Sequence, residues 1–313
     1  MQIFRKQKYF WIFVLILAIA ACQPAKLLHK RLSPLLQDPL VQVYFNHAES
    51  SEYQEFYRQQ TRLGDDLEKL ITDAISDAKS TVDVAVQELR LPRIAQALVD
   101  RQKAGVKVRV ILENTYSRPW SSFTPDEIKK LASRERAKYN EFHKFIDLNK
   151  DGKLSPAEIN QRDALVILQN AKIPLIDDQA DGSKGSSLMH HKFVIVDNRI
   201  VIVTSANFTL SDISGDFTNL SSLGNANNLL KIDCPELASI FNQEFNIMWG
   251  DGVGGKPDSR FGLQKPLRSP TTVTLGDSKI TVQFSPTSPT QPWSKTSNGL
   301  IGEALNSAHK SID

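Results

Sequence analysis

The sequence is short of cysteine, of net charge and of any long apolar run. Only two cysteines occur in 313 residues, Cys22 and Cys234. Cys22 lies at the edge of an N-terminal segment distinct from the fold. If that segment is processed, Cys234 stands alone and no intrachain disulfide would remain, so a buried thiol packing as a small hydrophobe is expected. The net charge is only +3. No strong basic field surrounds such a chain, so bulk charge lends a nucleic-acid partner no support, without ruling one out. The apolar stretch from Tyr9 to Ile19 falls short of the about 20 residues that a membrane span needs. The rest is ordinary globular composition, 41% hydrophobic and 23% charged, enough for one large domain or two.

Arg5, Lys6 and Lys8 precede that apolar stretch, and Ala20 and Ala21 follow it. The next residue is Cys22, and I-A-A-C resembles the lipobox of bacterial lipoproteins. The resemblance implies cleavage, lipidation of Cys22, and an exported protein anchored to the membrane of a bacterial cell envelope. A plain signal peptide or a short anchor helix is the alternative. Residues 1–22 are read as signal and 23–40 as tether.

Beyond residue 40 the periodicity alternates between strand and helix. V-Q-V-Y-F at 41–45 is a strand. Leu67, Leu70, Ile71, Ala74, Ile75 and Ala78 recur at helical spacing and predict a helix over about 65–79. T-V-D-V-A-V follows as a strand. Pro92 opens a helix that Gly105 ends, and residues 106–112 form the next strand. This β-α-β-α-β order predicts a layered α/β fold. A charged helical insert, about 124–165, interrupts it, and strands return at 173–176 and 227–232. Pro235 to Trp249 reads as a helix with Leu237, Ile240, Phe241, Phe245 and Met248 on its apolar side.

The stretch 251–277, rich in Gly and Pro, reads as a linker. After it a repeat begins. I-T-V-Q-F at 280–284 echoes V-Q-V-Y-F, and Leu300, Ile301, Ala304, Leu305, Ala308 and Ile312 match the helix that starts near 65 at one constant offset. Residues 278–313 are read as the truncated start of a second half that continues past Asp313. Its strand is expected to lack a sheet and to fold poorly alone.

Two histidines and a lysine open the run M-H-H-K-F-V-I-V-D-N-R-I-V-I-V-T-S-A-N. Residues two apart share a strand face, so His190 and Lys192 point one way and His191 the other. Ser205 and Asn207 follow the second strand at the same spacing. An imidazole, an ammonium, a hydroxyl and an amide can thus converge at one end of a hairpin. That set suits a phosphate: Lys192, Ser205 and Asn207 hold oxygens, while His190 attacks phosphorus or moves a proton.

The spacing H-x-K-x4-D-x6-T-S-x-N resembles the signature of the phospholipase D superfamily, in which glycine stands where Thr204 does. His190, Lys192, Asp197, Ser205 and Asn207 match it. The resemblance runs from about residue 41 to Trp249 outside the insert and restarts near 278. It implies a phospholipase D-like α/β/α fold with a mixed sheet, one complete half here and the start of another. It also implies a phosphodiesterase with a phosphohistidine intermediate, in which two such motifs face each other. One histidine attacks, the other protonates the leaving alcohol, and no cofactor is needed. His190, Lys192 and Asp197 are the catalytic set on this reading, with Asp197 ordering the motif and His191 a packing neighbour. Asn227 stands where relatives often carry a glutamate that supports the imidazole, and the Thr204 hydroxyl is free to face the phosphate. The partner histidine is expected in the second half or in a second copy.

Within the insert, D-L-N-K-D-G-K-L-S-P-A-E at 147–158 fits the EF-hand loop at every specified position. Asp147, Asn149, Asp151 and the Lys153 carbonyl would hold Ca2+, Glu158 would close the site bidentately, and Gly152 gives the sharp turn. Helices are expected over Asp126 to Ile146 and Ala157 to Asn170. By the family's layout the insert lies near the active-site rim.

The leading expectation is a phospholipase D-type phosphodiesterase acting on phospholipid head groups. An endonuclease of the same superfamily is an alternative, although only Lys103, Lys107 and Arg109 hint at a basic stripe. A calcium-binding surface lipoprotein with a decayed site is another. For the anchor, mass spectrometry of envelope-extracted protein should find a diacylglyceryl group on an N-terminal Cys22. Release of Cys22→Ala to the soluble fraction is expected, and an unmodified Cys22 would remove the anchor.

Overall fold

The central strands are rich in valine and isoleucine because both of their faces are covered. A computed structural model describes residues 32–182, 188–286 and 290–312. The signal segment, Cys22 and most of the tether lie outside the described residues. Seven strands form one sheet: β1 (Val41–Phe45), β4 (Thr81–Val86), β5 (Lys107–Leu112), β6 (Leu175–Asp177), β7 (Lys192–Val196), β8 (Ile200–Thr204) and β9 (Asn228–Asp233). Their spatial order is β1-β9-β8-β7-β4-β5-β6. The β4–β5 and β5–β6 pairs are parallel and the other four antiparallel, so the sheet is mixed.

Alternation along each strand sends side chains into two cores. Val194 and Val196 of β7 join Val82, Val84 and Val86 of β4 on one face. There they meet α1 (Leu67–Ser76) and α2 (Pro92–Lys103). Leu67, Ile71 and Ile75 of α1 are fully buried, each contributing about 1.5–3 kcal/mol. Phe193 and Ile195 point to the opposite core, against Phe241 and Phe245 of a later helix, Pro235–Trp249. The result is helix, sheet, helix.

The β7–β8 hairpin turns through Asp197 and Asn198, both at positive φ. The Asp197 carboxylate accepts from the N–H groups of Lys79, Ser80 and Thr81 and from the Ser80 hydroxyl. It thereby fastens the turn to the start of β4. Seven steps of extended chain separate it from His190, about 23 Å. Asp197, grouped with the catalytic residues from its place in the motif, is a structural staple at the far end of the strand.

The insert holds four helices: α3 (Pro125–Lys130), α4 (Ser133–Ile146), α5 (Pro156–Arg162) and α6 (Ala164–Asn170). The helix expected over Asp126 to Ile146 is broken at Leu131 and Ala132, where the Arg136 guanidinium takes the carbonyls of Lys129 and Leu131. The helix expected from Ala157 breaks at Asp163, whose carboxylate caps α6 through Leu165 N–H and also accepts from the Ser121 hydroxyl. After a short α7 (Leu210–Ile213) comes α8, the Pro235–Trp249 helix. The small hairpin of β2 (Glu52–Gln54) and β3 (Thr61–Leu63) had no clear sequence signal.

The stretch expected to be a linker, 251–277, is largely fixed in place. Phe261 and Val273 are buried in the second core. β10 (Thr271–Leu275) pairs with β11 (Ser278–Val282), so the strand expected to lack a sheet has a partner. Ile280, Val282 and Phe284 pack on that same core. Their apolar side found the face of α8 rather than a second sheet. α9 (Ser297–Asn306) follows with Ile301 and Leu305 exposed. No helix among the described residues is long and apolar enough to cross a membrane. Residues 34–313 form one unit.

Candidate active site

The site forms where β7 begins and β8 ends. Antiparallel pairing of β7 with β4 sets Lys192 opposite Val86, so the lysine meets the chain as β4 turns away. Lys192 is only 6% exposed, and its Nζ donates to Gln87 Oε1 at 3.3 Å and to the His190 carbonyl at 3.1 Å. Burial pushes its pKa down to about 8, against the pull of Asp212 and Glu88. The cation is therefore held in place but weakly stabilised.

The His190 imidazole makes no hydrogen bond among the described residues. Desolvation lowers its pKa below the usual value, Lys192 and His191 push the same way, and Asp212 opposes them. A histidine so placed is neutral at pH 7, with a free lone pair. His191 points to the other face, as the strand period requires. Its Nε2 donates to Glu244 at 2.9 Å, and its ring lies edge-on to Phe193 and Phe284.

A cleft of about 550 Å³ opens beside His190. Gln87, Glu88, Asn207 and Asp212 line it on the sheet side. Asn207 is fixed by its Oδ1 accepting from Glu88 N–H and its own N–H donating to Asp212. The opposite wall belongs to the insert: Arg134, Glu135, Lys138, Glu141, Phe142 and Phe145 of α4. Glu141 reaches across to Thr218, so α4 is braced on the loop beyond α7.

The other motif residues have different partners. The Ser205 hydroxyl donates to Asn227 Oδ1 and accepts from Asn228 N–H. Asn227 donates to the carbonyls of Asp212 and Asn225 and makes no hydrogen bond to the His190 ring. The Thr204 hydroxyl donates to the Asn228 carbonyl and accepts from Ala206 N–H. It is spent on backbone and does not face a phosphate. Gln87 and Asp212 were not anticipated. Their contacts cross from other elements, and no local spacing marks them.

In the insert loop, Asp147 accepts from Asp151 and Gly152 N–H, and Gly152 takes the positive φ of the turn. Asn149 accepts from Asp151 N–H, and Asp151 from Lys153 N–H. Glu158 accepts from Leu148, Asn149 and Ser155 N–H and from the Ser155 hydroxyl. The donor set fits calcium in kind, being all hard oxygen. Its carboxylates are turned to N–H groups, and no three His, Cys, Asp or Glu gather to hold a metal among the described residues.

Residues 71–249 match the family model described as cardiolipin synthase, PLD-like domain. The chain belongs to the phospholipase D-like family. Membership supports phosphodiesterase-type activity at the level of the superfamily. Among solved structures it is similar to Nuc, a phospholipase D family member from Salmonella typhimurium. Identity is 20%, over 70% of this chain and 97% of that one, with a TM-score of 0.38. NucT from Helicobacter pylori is 18% identical over 60% and 90% of the two chains, with a TM-score of 0.34. Phosphatidylserine synthase from Haemophilus influenzae Rd KW20 is 14% identical over 65% and 37%, with a TM-score of 0.36. No curated protein matches the sequence.

The buried Lys192 has a measurable consequence. Its folded pKa of about 8 lies below the about 10.4 of an unfolded lysine. Between those values the unfolded chain binds more protons, so stability rises with pH across that window. Lys192→Met should remove this rise and melt several degrees higher at pH 7. Parallel pH–stability curves for the two proteins would refute the assignment.

Proposed function

We propose that this member of the phospholipase D-like family hydrolyses phospholipid head groups through a phosphohistidine formed on His190. The observation that carries the reading is the unbonded, neutral His190 imidazole beside the Lys192 ammonium. A ring nitrogen of His190 attacks phosphorus, a P–N bond forms and the P–O bond to one alcohol breaks. Lys192 and Asn207 stabilise charge on the non-bridging oxygens. The departing alkoxide takes a proton from an acid, and the family pattern supplies that acid from the histidine of a second half or a second copy. Water then cleaves the P–N bond and regenerates the imidazole.

The cleft charge supports a lipid over a nucleic acid. Glu88, Glu135, Glu141, Asp212 and Asp216 line it against Arg90, Arg134 and Lys138. Glu88 pairs with Arg90 and Glu135 with Lys138. Such a wall suits a substrate with one phosphate better than a polyanion, whose binding depends on neutralised phosphates. Export and anchoring at Cys22, read from the I-A-A-C sequence, would bring the site to a membrane and belong to the same proposal.

Bis(p-nitrophenyl) phosphate isolates the first step, since nitrophenolate leaves without a general acid. The wild-type chain should give a burst of nitrophenolate equal to the number of sites, and His190→Ala none. The burst rate should be bell-shaped in pH. Its acid limb falls below pH 6.5, where His190 gains a proton, and its basic limb lies near 8, where Lys192 loses one. No burst from wild type, or an unchanged one from His190→Ala, sinks the phosphohistidine.

The insert loop is proposed to bind one Ca2+ through Asp147, Asn149, Asp151, the Lys153 carbonyl and Glu158. The ion would hold the ends of α4 and α5 together and take no part in bond breaking. Calorimetry should show one calcium site, absent in Glu158→Ala, and a melting temperature that falls on chelation. No heat at millimolar calcium removes the site.

A further inference from the structure

Three nitrogen-bearing side chains, His191, Lys265 and Arg268, converge on one buried carboxylate. Glu244, on α8, has a side chain 1% exposed. Its Oε1 accepts from His191 Nε2 at 2.9 Å and from Lys265 Nζ at 2.5 Å, and Arg268 reaches its Oε2. Lys265 also donates to the Ser285 carbonyl at 2.6 Å. Burial alone would raise the Glu244 pKa, but His191 and Lys265 hold it down at about 2. The carboxylate is ionised at every working pH, and none of its partners is used by the phosphate chemistry.

Among the described residues His190 has no hydrogen bond to fix its ring, so there its place comes from the backbone that carries it. That backbone is held at each step. Met189 N–H donates to Asp178, Lys192 Nζ to the His190 carbonyl, and Gln87 N–H to the His191 carbonyl. Among residues 189–192, Met189 and His191 both turn their side chains to the second core, and of the two His191 is the one hydrogen-bonded there, to Glu244. The His190–His191 peptide is planar and rigid, so an immobile His191 ring fixes the bond from which the His190 side chain departs. We propose that Glu244 is a positioning residue for His190, acting through His191. Lys265 and Arg268 complete the anchor from the segment beyond α8, which makes that segment part of the support of the catalytic strand.

This inference rests on the phosphohistidine reading, and the burst with bis(p-nitrophenyl) phosphate separates the two. A silent wild-type chain refutes that reading and this one with it. With a wild-type burst in hand, Glu244→Gln should lower the burst rate constant on the order of tenfold to a hundredfold, the scale of a misplaced reacting group. The inhibition constant of inorganic phosphate should stay within threefold, because the phosphate-holding groups are untouched. A general loss of folding would move both. Leu237→Ala, a core truncation on the same helix, should melt lower with its rate constant within twofold. His191→Phe keeps the ring packing on Phe193 and Phe284 and leaves Glu244 to Lys265 and Arg268. It should reproduce most of the fall, and it decides the matter if Glu244→Gln does not fold. A rate constant within twofold of wild type in a folded Glu244→Gln or in His191→Phe overturns the assignment, as does an equal loss of phosphate binding.

Discussion

The site depends on keeping a charged lysine at the end of a strand that is buried on both faces. A lone ammonium in that place is costly, because desolvation favours the neutral amine. The surroundings answer with near neighbours rather than a full ion pair. Gln87 and the His190 carbonyl accept from Lys192, and the carboxylates of Asp212 and Glu88 act at longer range. A direct salt bridge would stabilise the cation more but would compete with an incoming phosphate. Among the described residues the arrangement leaves Lys192 fixed and without a direct ion pair.

The same strand divides its labour by face. Lys192, Val194 and Val196 look towards α1 and α2, whereas His191, Phe193 and Ile195 look towards α8. The polar mouth of the strand therefore touches two separate environments. On one side His190 meets an open cleft whose far wall is the insert. On the other side His191 is locked into a packed core of phenylalanines around Glu244. A one-residue slip of register would exchange these roles, and the antiparallel pairing with β4 and β8 prevents it.

The insert does more than interrupt the α/β rhythm. α4 lines the cleft with Arg134, Glu135, Lys138 and Glu141 and with the edges of Phe142 and Phe145, which pack with Ile146 and Trp120 in a small cluster of their own. Its last residue leads straight into the Asp147–Glu158 loop. A single element thus lines the cleft along its length and delivers the chain to the first residue of the oxygen-rich loop. The pairing of Phe145 with Phe217 and of Glu141 with Thr218 ties it to the loop between α7 and β9.

Local periodicity was enough to place most strands of the large sheet and the helices packed on it, to put His190 and Lys192 on one face, and to leave His191 on the other. Those features depend on spacing along one segment, and spacing is written in the chain. The order of the sheet edges, the break at Asp163 and the docking of residues 261–284 on α8 were not legible, because each depends on which distant surface an apolar side covers. The same holds within the site. Motif alignment grouped Asp197 with the catalytic residues, but extended geometry carries it about 23 Å away. Thr204 and Asn227 point where backbone acceptors and Ser205 draw them, and Gln87, Asp212 and Glu244 arrive from other elements. Sequence by itself determined which chemical groups are available and on which side of the strand they stand. Tertiary structure alone decided which of them meet, because burial gives each buried charge a partner only from whatever packs against it.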